Sequence, residues 1–216
     1  MNRAASLKIT EIFRSLQGEG SAVGYPTVFV RLTGCPLRCQ YCDTAYAFTG
    51  GTSIPMDEIL GTVAAFNTGH VCVTGGEPLA QPGCTTLLAR LCDAGHAVSL
   101  ETSGAMSLAG VDPRVTKVVD VKTPASGEER RNRYEELASL APTDQVKFVI
   151  CDRNDYEWSR TKVQELGLEG RVMVLFSPSY GQLAARDLAD LILADGLPVR
   201  MQVQLHKILW GDVPGR

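Results

Sequence analysis

Cys35-Pro-Leu-Arg-Cys39-Gln-Tyr-Cys42 places three thiols within eight residues, just after an apolar run and a Thr33-Gly34 turn. Three neighbouring thiolates on one loop can each hold one iron of a [4Fe-4S] cubane, which leaves the fourth iron open to a bidentate small molecule. An open iron points to chemistry rather than to passive electron transfer. Structural zinc is a competing reading, but it takes four ligands, commonly from paired knuckles, and no second Cys or His pair is positioned to complete such a set. Inert core cysteines are the other, although unmetallated thiols seldom bunch in this way. Cys72, Cys84, Cys92 and Cys151 are dispersed and read as small buried hydrophobes.

Other polar residues gather where strands are expected to end. Val71 to Thr74 runs into Gly75-Gly76-Glu77-Pro78, where two glycines let backbone carbonyls approach a ligand and Glu77 adds a negative charge. Glu101-Thr102-Ser103-Gly104, Asp120-Val121-Lys122-Thr123 and Ser177-Pro178 close three later runs. The carboxyl ends of strands in barrels and open α/β sheets are where loops build active sites. Near the start, Ser15 to Gly20 is a glycine-bracketed turn exposing Gln17 and Glu19. Near the end, Met201 to Lys207 alternates, so that Gln202, Gln204 and His206 are expected on one face of a strand. Taken singly, each of these is equally consistent with a local cap or turn.

The scaffold that must position them reads as repeated βαβ. Thr27 to Leu32, Val71 to Thr74, Ala97 to Leu100, Val115 to Val121, Val146 to Ile150, Val172 to Phe176 and Val199 to Leu205 are near-continuously apolar, as parallel strands covered on both faces are. Met56 to Phe66, Thr85 to Ala94, Glu128 to Leu140, Tyr156 to Leu166 and Leu183 to Ala194 have helical spacing, with Gly95, Gly167 and Gly196 where C-terminal caps belong. Glu128, Glu129, Arg130, Arg131 and Arg133 mix signs as a solvated helix face does. Without a linker, a low-complexity tract or a fixed-period repeat, residues 1–216 are expected to form one α/β domain.

Bulk properties exclude several classes. The net charge of −3, with basic residues spread along the chain, lacks the concentrated positive field that phosphate-backbone binding needs. Nucleic acid is therefore not an expected direct partner. Apolar runs stop well short of the ~20 residues that span a bilayer, and no secretory pattern opens the chain. Seven cysteines, an odd number without an export signal, argue against a disulfide framework and for a cytoplasmic protein with reduced thiols.

The CX3CX2C loop, with Tyr41 before its last cysteine, resembles the signature of the radical S-adenosylmethionine superfamily. That resemblance implies an incomplete TIM-like parallel β/α barrel of about six strands, with S-adenosylmethionine chelating the open iron through its amino and carboxylate groups. It further implies that Tyr41 lies beside the adenine, that Gly75, Gly76 and Glu77 form the methionine-amine site, and that Glu101, Ser103, Lys122 and Ser177 surround the cofactor.

Gln17-Gly-Glu19-Gly, Arg31, Cys42-Asp43-Thr44, Gly75-Gly-Glu-Pro78, Glu101-Thr-Ser-Gly104 and Gln204-Leu-His206-Lys207 together closely resemble the 7-carboxy-7-deazaguanine synthases of 7-deazapurine (queuosine) biosynthesis. Members of that family contract the ring of 6-carboxy-5,6,7,8-tetrahydropterin to 7-carboxy-7-deazaguanine with loss of ammonia, and require magnesium. By that resemblance Gln17, Glu19, Arg31, Gly76 and His206 contact the pterin and Thr44 helps to bind Mg2+. The same resemblance implies a flavodoxin- or ferredoxin-type electron donor and a homodimer. A guanidinium fork suits a carboxylate, and hard magnesium takes hydroxyl, carboxylate and water oxygens. Against this stand a strand-edge Arg31 pairing with a structural acid such as Asp43, a glycyl-radical-enzyme activase, and a non-catalytic iron-sulfur protein. Asp212 to Arg216 acquire no role.

Overall fold

Val28 and Val30 pair with Val71 and Val73 in complete burial on one face, and Phe29 pairs with buried Cys72 on the other, as in a sheet covered on both faces. The computed structural model describes residues 6–211, 213 and 215. It contains β1 (Ser6–Leu16), β2 (Pro26–Leu32), β3 (Thr52–Pro55), β4 (His70–Gly75), β5 (Ala97–Thr102), β6 (Thr116–Val121), β7 (Gln145–Ile150), β8 (Met173–Pro178) and β9 (Arg200–Met201). All belong to one sheet ordered β3-β1-β2-β4-β5-β6-β7-β8-β9. The pairs from β2–β4 through β8–β9 are parallel, whereas β1 is antiparallel to both β2 and β3.

The expected incomplete barrel of about six parallel strands is thus present in β2, β4, β5, β6, β7 and β8, open rather than closed. Two-residue β9 and the antiparallel pair extend it. The long polar-apolar strand β1 and the short β3 lie outside the runs that hydrophobicity marked.

Helices α1 (Met56–Ala65), α2 (Cys84–Asp93), α3 (Arg153–Glu165) and α4 (Ala185–Asp195) cover the sheet. Leu87, Leu88 and Leu91 of α2 are fully buried with Val28, Val30, Val71 and Val73 in one apolar cluster. Each such side chain contributes about 1.5–3 kcal/mol of burial. A second cluster joins Val146, Phe148 and Phe176 to Tyr156 and Val163 of α3 and to Leu188 and Ile192 of α4. Helix α3 starts three residues before the expected Tyr156 because Asp152 accepts the Asp155 amide at 2.9 Å as its N-cap. Gly196, at φ +57°, ends α4 in the left-handed conformation expected of it.

Two expected elements are corrected. Glu128 to Leu140 is not an α-helix but two 3-10 segments, Glu129–Arg131 and Tyr134–Ser139. The Asn132 side chain bonds both the amide and the carbonyl of Lys122 at 2.8 Å, and the Arg133 amide donates to the Gly104 carbonyl at 3.0 Å. The chain is pinned to the end of β6 in mid-run, which no continuous helix permits. Likewise Val199 to Leu205 contributes only Arg200–Met201 to the sheet, and a short helix α5 (Leu205–Trp210) follows. Gln202 Oε1 accepts the Gly20 amide at 2.8 Å and the Leu205 amide donates to the Gly18 carbonyl at 3.1 Å, which draws the chain out of the sheet toward the N-terminal turn. Gln202, Gln204 and His206 therefore do not share a strand face.

Because the strands after β1 and β3 run parallel, Leu32, Gly75, Thr102, Val121, Ile150 and Pro178 end on one edge of the sheet. That edge carries the cysteine loop, the Gly-Gly turn and the 101–104, 120–123 and 177–178 segments, whereas the Gln17 to Gly20 turn follows antiparallel β1 and lies toward the other edge, beside Pro26 of β2 and Gln145 of β7.

Candidate active site

A cavity of about 520 Å³ opens at the carboxyl edge of the parallel strands, within the ~300–1,000 Å³ typical of small-molecule sites. Cys35, Cys39 and Cys42 line it from one side, and Gln17, Glu19, Arg31 and His206 line it from others. The cysteine loop sits where it does because the strand register brings Arg31 beside Thr74 and Leu32 beside Gly75. The Glu77 amide then donates to the Gly34 carbonyl at 2.7 Å. A Cβ on Gly76 would collide with the Gly34 carbonyl oxygen and lie 2.8 Å from Cys35 Cβ. Only a residue without a side chain lets the two turns meet there.

All three thiols are partly exposed toward the cavity. Burial pushes Cys39 up to about 11, and burial with the nearby Glu77 charge also raises Cys35. Metal must therefore displace the protons on binding. Among the described residues no three His, Cys, Asp or Glu side chains converge on a point that would hold a single ion; a cubane instead asks for one iron per thiolate. Two buried polar atoms on the cavity wall, the Tyr41 hydroxyl and Asp120 Oδ1, have no hydrogen-bond partner among the described residues. Orphaned groups of this kind fit a wall built for a polar ligand. Cys72, Cys84 and Cys151 are buried, and the Cys151 sulfur touches the Gln40 side-chain amide at 3.7 Å.

On the other side, Gln17 is a tie between two elements. Its Oε1 accepts the Gly18 and Glu19 amides at 2.8 and 3.3 Å, while its Nε2 donates to Glu101 Oε1 at 3.3 Å. Thr74 donates to the other Glu101 oxygen at 2.9 Å. Glu19 pairs with Lys147 at 2.6 Å, and Lys147 lies 3.6 Å from Asp120, which also bonds Lys122 at 2.9 Å. Burial raises the Glu19 carboxyl, but the charge and hydrogen bond of Lys147 outweigh it and hold Glu19 below the ordinary range. Burial likewise lowers Lys147, and the Glu19 and Asp120 charges more than reverse this. The His206 ring lies so close to Gly18 that a Cβ there would strike its Nδ1.

Arg31 reaches the cavity with its Nε held by Glu11 at 2.7 Å and its guanidinium 5.8 Å from the Tyr46 ring centroid. The structural acid beside it is Glu11, not Asp43, which instead meets Gln204 at 3.4 Å and Lys207 at 3.9 Å. Tyr41, Gly75, Gly76, Glu101, Ser103, Lys122 and Ser177 all border the cavity, as does Thr44, whose hydroxyl lies 3.8 Å from the Cys42 sulfur. Glu77 does not. It is fully buried, and its carboxylate accepts from Thr102 at 2.9 Å, from the Ser103 amide at 2.7 Å, from the Ser103 hydroxyl at 2.5 Å and from the Leu79 amide at 2.9 Å.

Sequence reasoning passed over Thr74, Tyr46 and Lys147 as site residues, whereas Asp120, Gln204 and Lys207, which also border the cavity, lay within motifs it had marked. Lys147 had a readable signal: it follows Gln145 on one face of an otherwise apolar strand.

An open parallel β/α sheet with three cysteines facing a cavity at its carboxyl edge is the architecture of a radical S-adenosylmethionine protein, and residues 29–118 match the Radical SAM superfamily. The crystal structure of QueE from Escherichia coli has the same fold, with a TM-score of 0.76 at 23% identity, over 93% of this chain and 95% of that one. Streptococcus suis SuiB bound to its precursor peptide aligns with a TM-score of 0.58 at 15% identity, over 79% of this chain and 46% of its own. Among curated proteins, the 7-carboxy-7-deazaguanine synthase of Chlorobaculum tepidum is 46% identical over 97% of both chains. That of Thermoplasma acidophilum is 41% identical over 96% of this chain and 99% of its own. The chain belongs to the 7-carboxy-7-deazaguanine synthase family. Relatives of this name match over nearly the whole chain, which favours that reading over a glycyl-radical activase.

Proposed function

We propose that the chain converts 6-carboxy-5,6,7,8-tetrahydropterin to 7-carboxy-7-deazaguanine with loss of ammonia, as a radical S-adenosylmethionine lyase of 7-deazapurine (queuosine) biosynthesis. The observation that carries the reading is that the cysteine loop and the Gln17, Glu19, Arg31 and His206 side chains line one cavity from different sides. A small substrate there would meet a cofactor held on the loop.

Cys35, Cys39 and Cys42 hold the [4Fe-4S] cluster, and Tyr41, Gly75, Gly76, Glu101, Ser103, Lys122 and Ser177 surround S-adenosylmethionine. The cluster and S-adenosylmethionine, when bound there, would supply one-electron hydrogen-abstraction chemistry toward the substrate C6. The protein contributes position. The Arg31 Nη groups, without a bond to another described residue, offer a fork to the pterin carboxylate. Glu19, kept ionised by Lys147, accepts from pterin N–H groups, while Gln17 and His206 fix the ring edge. Thr44 contributes a hydroxyl to Mg2+, with Asp43 adjacent in sequence. Glu77 acts indirectly: its carboxylate holds Thr102 and Ser103 in place at the cofactor wall.

The remaining parts of the proposal are a single domain over residues 1–216, a cytoplasmic homodimer, and a flavodoxin- or ferredoxin-type electron donor. No helix among the described residues is long and apolar enough to cross a membrane.

The test is anaerobic reconstitution with iron and sulfide, then incubation with dithionite, S-adenosylmethionine, Mg2+ and the pterin, with the triple Cys35, Cys39, Cys42→Ala variant as control. 7-Carboxy-7-deazaguanine from the native chain alone supports the assignment. 5′-Deoxyadenosine without that product leaves the radical chemistry and removes the substrate.

A further inference from the structure

Strand β7 carries Gln145, Lys147 and Val149 on one face, while Val146, Phe148 and Ile150 on the other join the second apolar cluster. The N-terminal turn is fastened to the first of these faces at two points. Gln145 Oε1 accepts the Ser21 amide at 3.0 Å, and Gln145 Nε2 donates to the Ser21 hydroxyl at 2.8 Å. Two residues further along β7 and two residues back along the turn, Lys147 Nζ donates to Glu19 Oε2 at 2.6 Å. Between the two points the Gly20 amide donates to Gln202 Oε1 at 2.8 Å. Glu19 and Lys147 are thereby held as a fixed pair, with their side chains only 12% and 13% exposed. Both border the cavity, whereas Gln145 does not.

The bond to Glu19 uses one of the ammonium donors of Lys147, and a lysine has three. Asp120, at 3.6 Å, balances charge from beyond hydrogen-bond reach. Burial disfavours the ammonium, but the Glu19 and Asp120 charges keep it protonated. The cavity wall thus offers a charged donor and a charged acceptor side by side. The ring edge of a 2-amino-4-oxopteridine carries the complementary order, an acceptor at O4 followed by donors at N3 and the 2-amino group. We propose that Lys147 contacts the substrate and reads its 4-oxo group, donating to O4 while Glu19 accepts from N3–H and the 2-amino group, so that the site selects 4-oxo over 4-amino pteridines. This rests on the reading that the cavity takes a pterin. With an amino group at C4, a donor would face the ammonium and an unprotonated N3 would face the carboxylate. Mismatches of this kind are costly where both protein groups are largely buried.

The experiment compares the binding of pterin-6-carboxylic acid with that of 2,4-diaminopteridine-6-carboxylic acid, its 4-amino counterpart. Equilibrium dialysis is run on reconstituted, unreduced protein with S-adenosylmethionine and Mg2+, conditions without turnover, and free pteridine is read by its fluorescence. The native chain is expected to bind the 4-oxo compound about tenfold more tightly or better, the scale of a charge-assisted hydrogen bond. Lys147→Met should lose most of that ratio. Lys147→Gln, whose amide can turn either its N–H or its carbonyl to the ring, should bind the two compounds within about threefold of each other. Because the ratio is taken within each variant, a partly unfolded sample leaves it unchanged. A lysine that only braced the turn would weaken both compounds alike, so a native ratio retained in Lys147→Met and Lys147→Gln would overturn the proposal. Equal binding of the two compounds by the native chain would overturn it as well, with the pterin reading intact. If the native chain binds neither compound, the pterin reading falls and the proposal falls with it.

Discussion

Arg31 enters the cavity with one edge of its guanidinium held by Glu11 and the other facing the space where a carboxylate is proposed to sit. Arg31→Ala should therefore lower kcat/KM for the pterin by about 10- to 100-fold, the scale of a lost charge-assisted contact, while the cluster absorption spectrum stays as in the native protein. Unchanged turnover would remove Arg31 from the substrate site. Lys147 carries a different kind of load, since Glu19 and Asp120 both depend on it. Lys147→Met should cost roughly 3 kcal/mol in denaturant unfolding, because it strands a nearly buried carboxylate. The pH dependence follows in sign. Glu19 titrates below the ordinary 4.5 in the folded chain, so its stabilisation is present above that value and is lost as pH falls through the lower folded one. The native protein should lose stability on acidification below about pH 4.5, and Lys147→Met should lose less, because its unpaired Glu19 takes up a proton more readily. At this scale the sequence was legible where spacing is short, as in the cysteine loop. Asp120 meets Lys147, the partner of Glu19, only through the parallel pairing of β6 with β7, which no local pattern records.

Element by element, legibility followed the source of the ordering force. The apolar strands were readable because burial on both faces demands continuous hydrophobicity. Strand β1 was not, since Thr10, Glu11 and Arg14 interrupt its alternation and one of its two partners, β3, lies beyond the cysteine loop in the chain. The absent helix over 128–140 and the absent strand over 202–205 share a cause. Long-range bonds, from Asn132 to Lys122 and from Gln202 to Gly20, override a local periodicity that carries little burial of its own. The Gly-Gly turn was legible as a close approach, though to the Cys35 loop as much as to any ligand. Gly76→Ala should therefore displace that loop: reconstituted protein is expected to hold well under half the iron of the native chain by colorimetric iron analysis, with far-ultraviolet circular dichroism unchanged. Native iron content in Gly76→Ala would show that the loop does not depend on this contact.

For the molecule as a whole, the open sheet gathers groups from β1 to α5 around one cavity, and residues as far apart in the chain as Gly20 and Gln202 are bonded at 2.8 Å. By the proposed function, this arrangement holds C6 of the pterin against the adenosyl 5′ carbon of the cofactor. It is tested most directly by supplying the reduced, reconstituted protein with substrate deuterated at C6 and following the label by mass spectrometry. The expected result is 7-carboxy-7-deazaguanine together with deuterium in the 5′ position of S-adenosylmethionine. Cleavage of S-adenosylmethionine with no deuterium in any adenosyl species, and no 7-carboxy-7-deazaguanine, would contradict it.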